Sequence, residues 1–312
     1  MEEKDIMKGN GEEFSESNKE KFGKSGSIIT DKEQSETRIS TQSREPPARL
    51  KRAETVLNYR TGRFCIVLER CLASHNQQAV LRTAEAFGVQ NVWVIEPDRS
   101  KWASQDNDVA SVHTRKTHLA KKVTKNCHQW LSLRTFLTVE ECLHALKSES
   151  WEIWATDLSP KAVCLNDAEG RGVLCPLPAK LAVVIGRESD GVSQEMLQKA
   201  NRRIYVPMFG FTESFNLSVA TALVLQRLFD WCPEARGDLS REDKDQLREK
   251  WYDALLRNPT ARTQHMHWKA KPNEVESFKD LRRKNDNHQL WIPPKIRKRE
   301  GIQLKSVNNK SS

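Results

Sequence analysis

Residues 181–191, LAVVIGRESDG, run five apolar residues straight into a polar turn bounded by two glycines. A run that short and that uniformly apolar is a buried strand, because a helix needs more length to bury a face. Phe64–Leu68 (FCIVL) and Asn91–Ile95 (NVWVI) repeat the pattern upstream. Between them Asn76 to Phe87 has helical periodicity and stops at Gly88, so the three pieces read as a βαβ unit with a right-handed crossover. Trp130–Phe136, Trp151–Thr156, Lys180–Ile185 and Arg203–Val206 complete an α/β sheet of about six mostly parallel strands. A short helix is expected over Trp102–His113, and another opens at Thr138, where Glu141 three residues on makes a capping box. Asn216–Trp231 is a long helix apolar on more than one face, which calls for burial in the core or against a partner.

The flanks of this pattern differ in kind. Residues 1–55 are rich in Glu, Lys, Ser, Thr and Gly, and this composition predicts a disordered extension before a folded domain over 56–232. Residues 233–258 hold a C-terminal helix: Ser240 and Asp243 mark its start, and Leu247, Trp251, Ala254 and Leu255 form its stripe. Beyond it, 259–312 reads as a basic, mostly flexible tail. The first 60 residues carry 12 Lys/Arg against 12 Asp/Glu, whereas 233–312 carry 19 against 12, so most of the net charge of +9 sits at the C-terminal end. A basic tail suits a phosphate-bearing partner such as RNA, and equally a merely solvated tail. The seven cysteines include no C-x-x-C pair, which points away from zinc and toward a reducing compartment. No apolar run approaches a membrane span, and the first residues lack an Arg-rich, acid-poor targeting pattern, so cytoplasm or nucleus is expected.

Three clusters could carry chemistry. In HNQQAVLRTAEAFG (75–88), Asn76 can cap the helix. Arg82 fits either a surface pair with Glu85 or Glu69, or a half-buried guanidinium in need of an anion. GRESDG (186–191) follows a strand, where backbone N–H groups of a parallel sheet commonly meet ligands. It fits neither familiar phosphate loop, and Glu188 would repel a phosphate, so a ligand with hydroxyls and a positive centre suits it better. In VPMFGFTESFNLSVA (206–220), Ser214 or Asn216 could cap the next helix, and one of the two is then free for another task.

Together these clusters resemble the three motifs of the TrmH (SpoU) family of RNA ribose 2′-O-methyltransferases in the SPOUT superfamily. Asn76 and Arg82 stand at the spacing of the first, Gly186, Glu188 and Gly191 match the second, and Pro207, Met208, Gly210, Ser214, Asn216 and Ser218-Val219-Ala220 match the third. Phe211 and Phe215 stand where the family more often has smaller aliphatic residues. The resemblance covers about residues 60–232 and implies a SPOUT-type α/β knot, with a C-terminal trefoil knot that holds S-adenosylmethionine. It implies a homodimer whose sites are completed across the interface.

By the same resemblance Thr156, Gly186, Glu188, Gly191, Val206, Met208, Phe215 and Leu217 surround the cofactor. Arg82, Asn76, Glu188, Ser214 and Asn216 form the catalytic group, with Arg82 on the target phosphate and Asn76, Ser214 and Asn216 orienting Arg82 and the ribose. Arg60, Arg63, His75 and the basic residues after 232 are the expected RNA contacts. The HNxxAxLRT form of the first motif is most similar to enzymes that methylate a guanosine of the tRNA D-loop, with ribosomal RNA as the other substrate to weigh. A catalytically silent RNA-binding relative would lack Arg82, Ser214 or Asn216, and all three are present. A nucleotide-dependent Rossmann enzyme would need glycines after the first strand, and CLASHNQQ has none.

Overall fold

Seven strands form a single parallel sheet: β1 (Thr61–Glu69), β2 (Val89–Ile95), β3 (Ser132–Phe136), β4 (Glu152–Thr156), β5 (Val163–Cys164), β6 (Leu181–Ile185) and β7 (Arg202–Tyr205). Their spatial order is β3-β2-β1-β6-β4-β7-β5. The computed structural model describes residues 46–97, 127–166, 168–256, 258–278 and 294–301. The helices are α1 (Ala48–Leu57), α2 (Ser74–Phe87), α3 (Val139–Ser148), α4 (Ala168–Leu174), α5 (Gln194–Lys199), α6 (Leu217–Trp231), α7 (Arg241–Leu255), α8 (Pro259–Ala270) and α9 (Pro294–Arg299).

The sheet is covered on both faces because its strands are apolar on both. Phe64, Ile66 and Leu68 of β1 pack with Val80, Leu81 and Ala84 of α2 and with Val224, Leu225 and Leu228 of α6. Cys65 and Val67, one position out of phase, pack with Val139, Cys142 and Leu146 of α3 and Met196 and Leu197 of α5. Each of these larger aliphatic side chains, once covered, contributes about 1.5–3 kcal/mol. The capping box at Thr138 forms as expected, with the Glu141 amide donating to Thr138 Oγ1 at 3.1 Å. The start signal at 240–243 holds too, with the Asp243 amide donating to Ser240 Oγ at 3.0 Å.

Several expectations need correction. A seventh strand exists, the two-residue β5, too short to leave a periodic signal. Trp130 lies in a 3-10 turn, Cys127–Trp130, ahead of β3. Asn76 does not cap α2, which begins two residues earlier after Ala73, so its side chain is released for other bonds. The extension read as disordered through residue 55 ends in helix α1, where Leu50, Ala53 and Leu57 are buried at i, i+3 and i+7. The tail read as flexible from 259 is partly folded. Trp268 of α8 and Val275 join α1 and the α7 residues Leu247, Trp251 and Tyr252 in a third apolar cluster. The Phe278 amide donates to Thr55 Oγ1 at 2.8 Å. The helix expected over 102–113 lies outside the described residues.

Candidate active site

In a parallel sheet every strand ends at the same edge, and ligands bind in the crevice outside the carboxyl ends. Cys71 and Asn76 follow β1, the Gly186–Gly191 turn follows β6, Thr156 and Asp157 end or follow β4, and Val206 to Met208 follow β7. β1, β6, β4 and β7 are consecutive neighbours in the sheet, so these segments meet at one place.

The turn after β6 is closed on itself. Arg187 and Gly191 exchange backbone hydrogen bonds at 3.0 and 3.1 Å, and the Arg187 guanidinium pairs with Asp190. A Cβ at Gly186 would stand 2.1 Å from the Gly191 carbonyl carbon and 2.2 Å from the Val192 nitrogen, so only glycine permits this closure. Gly191 has φ +70°, a left-handed conformation that suits glycine. The closed turn holds Glu188 outward, and its Oε1 accepts from Asn76 Nδ2 at 2.5 Å.

Asn76 in turn accepts from Asn216 Nδ2 at 3.1 Å through its Oδ1. Asn216 caps α6, its Oδ1 accepting from the Ser218 amide at 3.0 Å and from the Ser218 hydroxyl at 2.8 Å. Asn216 thus both caps the helix and bonds Asn76, two tasks that the sequence pattern divided between Ser214 and Asn216. Glu188, Asn76, Asn216 and Ser218 form a single hydrogen-bonded line across three segments distant in sequence. Asn76 is buried, Ser218 is half-buried, and Glu188 and Asn216 are exposed, so the row is open to a substrate at Glu188 and Asn216.

Ser214 lies exposed in the loop before α6, and Phe215 is half-buried beside it. Thr156 spends its hydroxyl proton on the Val184 carbonyl at 3.0 Å, which ties the ends of β4 and β6 together. Val206 and Met208 are half-buried, and Leu217 is buried at the start of α6.

Arg82 is not brought to this line within the chain. It sits on α2 six positions after Asn76, about 120° round the helix from it, exposed and without a hydrogen bond or ion pair among the described residues. Neither surface pairing weighed for it forms. Glu85 Oε1 accepts from Arg60 Nη2 at 2.8 Å, and Glu69 Oε2 accepts from the Ser193 amide at 3.0 Å.

Two expected RNA contacts are corrected. Arg60 has no exposed surface, its fork held by Glu85 and by the Val89 carbonyl at 3.1 Å. Arg63 is committed to the carbonyls of Leu177 and Pro178 at 2.6 and 2.9 Å. His75 is exposed.

The sequence reading missed Cys71. Its Sγ lies 3.7 Å from Glu188 Oε1, and burial, then the adjacent carboxylate, push its thiol up to about 12, so it stays a neutral donor. Its position just past β1, at the carboxyl edge of the sheet, was the available signal.

Comparison with known proteins settles the family. The profile described as the SpoU rRNA Methylase family matches residues 63–226, more than half of the chain. The chain belongs to the SpoU methylase family. A tRNA (guanosine(18)-2′-O)-methyltransferase of Borreliella burgdorferi is 32% identical over 209 residues, covering 66% of this chain and 85% of the relative. The protein of the same name from Escherichia coli K12 is 29% identical over 179 residues, covering 57% of this chain and 68% of the relative. The solved structure of the Aquifex aeolicus TrmH/SpoU tRNA modifying enzyme superposes with a TM-score of 0.54 at 27% identity, over 66% of this chain and 96% of that one. The SpoU match runs from β1 into α6 and contains the whole line of Glu188, Asn76 and Asn216; α1, α7 and α8 lie outside it.

Proposed function

We propose that this chain transfers a methyl group from S-adenosylmethionine to a ribose 2′-hydroxyl of tRNA, at a guanosine of the D-loop. The observation that carries the reading is the line from Glu188 through Asn76 to Asn216, which joins all three motif segments at the carboxyl edge of the sheet. The names of the Borreliella and Escherichia relatives support tRNA guanosine as the substrate.

The residues fit the cofactor. Gly186 begins a turn closed on its own backbone at the carboxyl edge of the sheet, and Glu188 sets a carboxylate rather than a cation there, which suits a sulfonium ligand. Gly186, Gly191, Val206, Met208, Phe215 and Leu217 would hold it largely through backbone groups, with Thr156 bracing the floor. The bound cofactor supplies an electrophilic methyl on a positively charged sulfur.

Asn76 and Asn216 orient the ribose, and in-line placement supplies much of the rate. Arg82 acts on charge: it holds the target phosphate and stabilises the developing alkoxide. Ser214, exposed beside Asn216, offers a further hydroxyl to the RNA.

Arg82 makes no bond to the line in its own chain, so the reading includes a homodimer in which Arg82 of one protomer serves the other's site. Exposed apolar surface supports a partner. Phe209 and Phe211 stand wholly in solvent ahead of α6, and Val219 and Leu223 are exposed on it. The reading also includes the trefoil knot. The chain reaches β7 beyond β4 and then returns to pack α6 on α2, the crossing such a knot uses.

Incubation with S-adenosylmethionine carrying a labelled methyl group, and with tRNA or rRNA transcripts, tests the proposal. Label in tRNA supports it. Label in rRNA alone moves the substrate, and label in neither ends the enzymatic reading.

A further inference from the structure

Glu69, the last residue of β1, has only 1% of its surface exposed. It stands in phase with Cys65 and Val67, on the face of the sheet that α3 and α5 cover. Its Oε2 accepts from the Ser193 amide at 3.0 Å, and its Oε1 has no hydrogen-bond partner. Neither oxygen meets a Lys or Arg among the described residues. Ser193 comes just after the Gly186–Gly191 turn, and its hydroxyl oxygen accepts from the Met196 amide at 3.3 Å to cap α5. Glu69 therefore ties the exit of the turn to β1, as Asn76 holds Glu188 within it.

Stability does not account for an acid at this place. A carboxylate taken out of water is costly unless a cation or several donors meet it, and Ser193 supplies one amide. A glutamine would keep that bond and bring no charge. Other acids around the turn are spent or screened: Asp190 pairs with Arg187, and Glu188 is exposed to solvent. A buried charge is screened much less, so Glu69 sends the stronger field into the carboxyl edge of the sheet.

We propose that Glu69 biases the cofactor pocket toward S-adenosylmethionine, whose sulfur is positively charged, and against S-adenosylhomocysteine, the thioether product whose sulfur is neutral. The carboxylate is fixed at the exit of the turn and lowers the potential around it, so a ligand with a cationic sulfur gains and one without it does not. That bias favours exchange of product for cofactor between turnovers. Glu69 acts here through its field and through the turn that it fastens, without touching substrate. The inference rests on the cofactor reading given above.

The test measures the affinity of the full chain for each of the two molecules by titration calorimetry, without RNA, for wild type, Glu69→Gln and Glu69→Asp, with folding checked by circular dichroism. Glu69→Gln keeps the shape and an acceptor for Ser193 but drops the charge; it should weaken S-adenosylmethionine about fivefold and S-adenosylhomocysteine less than about twofold. Glu69→Asp keeps the charge but shortens the reach to Ser193, so both affinities should fall together and their ratio should stay near the wild-type value. A residue that merely braced the turn would move both ligands equally in either variant, so the ratio isolates the charge. Equal weakening by Glu69→Gln, no change in either affinity, or a ratio altered as much by Glu69→Asp as by Glu69→Gln overturns the proposal while the cofactor reading stands. A wild-type chain that binds neither molecule overturns the cofactor reading itself, and this inference with it.

Discussion

Asn216 and Asn76, 140 positions apart in the chain, are joined by a hydrogen bond of 3.1 Å in which Asn216 donates. Its other side-chain atom, Oδ1, accepts from Ser218 and caps α6, so stability and site geometry depend on different ends of the same amide. Asn216→Asp keeps the capping oxygen and removes the donor. Its unfolding midpoint should stay within a few degrees of wild type, because a cap contributes about 1 kcal/mol and Asp caps as well as Asn. Methyl transfer should fall at least about tenfold, since an acceptor then faces an acceptor at Asn76. Calorimetry beside a single-turnover assay separates the two effects, and a large loss of stability with normal turnover would refute the division of labour.

Gly186→Ala places a Cβ 2.1 Å from the backbone of Gly191, which no rotamer can relieve. Opening the turn should cost at least about 2 kcal/mol in urea unfolding. Cofactor affinity by titration calorimetry should fall with it, because Glu188 is carried on the same turn.

Arg82 makes no hydrogen bond to the line that holds Asn216 within one chain, and that makes dimer complementation informative. Arg82→Ala and Asn216→Asp should each be inactive alone. Co-expressed, randomly paired chains should recover about a quarter of wild-type activity, because half the dimers carry one site with both residues intact. No recovery would place Arg82 and Asn216 in the same protomer's site.

Asp157, just past β4, pairs with Arg203 at 3.2 Å and accepts from the Ser159 hydroxyl and amide. Burial would raise its carboxyl, but the Ser159 bonds and then Arg203 outweigh that and hold it below the usual 3.8. A lowered folded value contributes stability that is fully present above the unfolded value near 3.9 and is lost as pH falls through the folded one. Asp157→Asn should therefore destabilise the protein by about 1–2 kcal/mol at pH 7. That difference should shrink as pH falls below the unfolded value and on through the lowered folded one, as read from urea melts across the range.

The sheet was legible because its strands announce themselves. LAVVI, FCIVL and NVWVI are apolar on both faces, and only a sheet covered twice uses such runs. The motif residues were legible by type, and Asn76, Glu188 and Asn216 do meet. What failed was direction. Periodicity places Arg82 on α2 but does not say what faces it, and Arg60 and Arg63, read as surface cations, are consumed by carbonyls and Glu85 that no local pattern reveals. Helix α1 was missed although Leu50, Ala53 and Leu57 are spaced for it, because its polar composition outweighed three apolar positions whose partners lie nearly 200 residues away on α7. Cys71 escaped notice because a lone thiol acquires meaning only beside Glu188.

The central claim is tested most directly by mass-spectrometric mapping of ribose methylation in a D-loop-containing tRNA transcript, incubated with S-adenosylmethionine and either the wild-type chain or Arg82→Ala. A single 2′-O-methylguanosine in the D-loop with wild type, and none with Arg82→Ala at equal folded concentration, is the predicted result. A transcript left unmethylated by the wild-type chain, or methylated equally by Arg82→Ala, would contradict it.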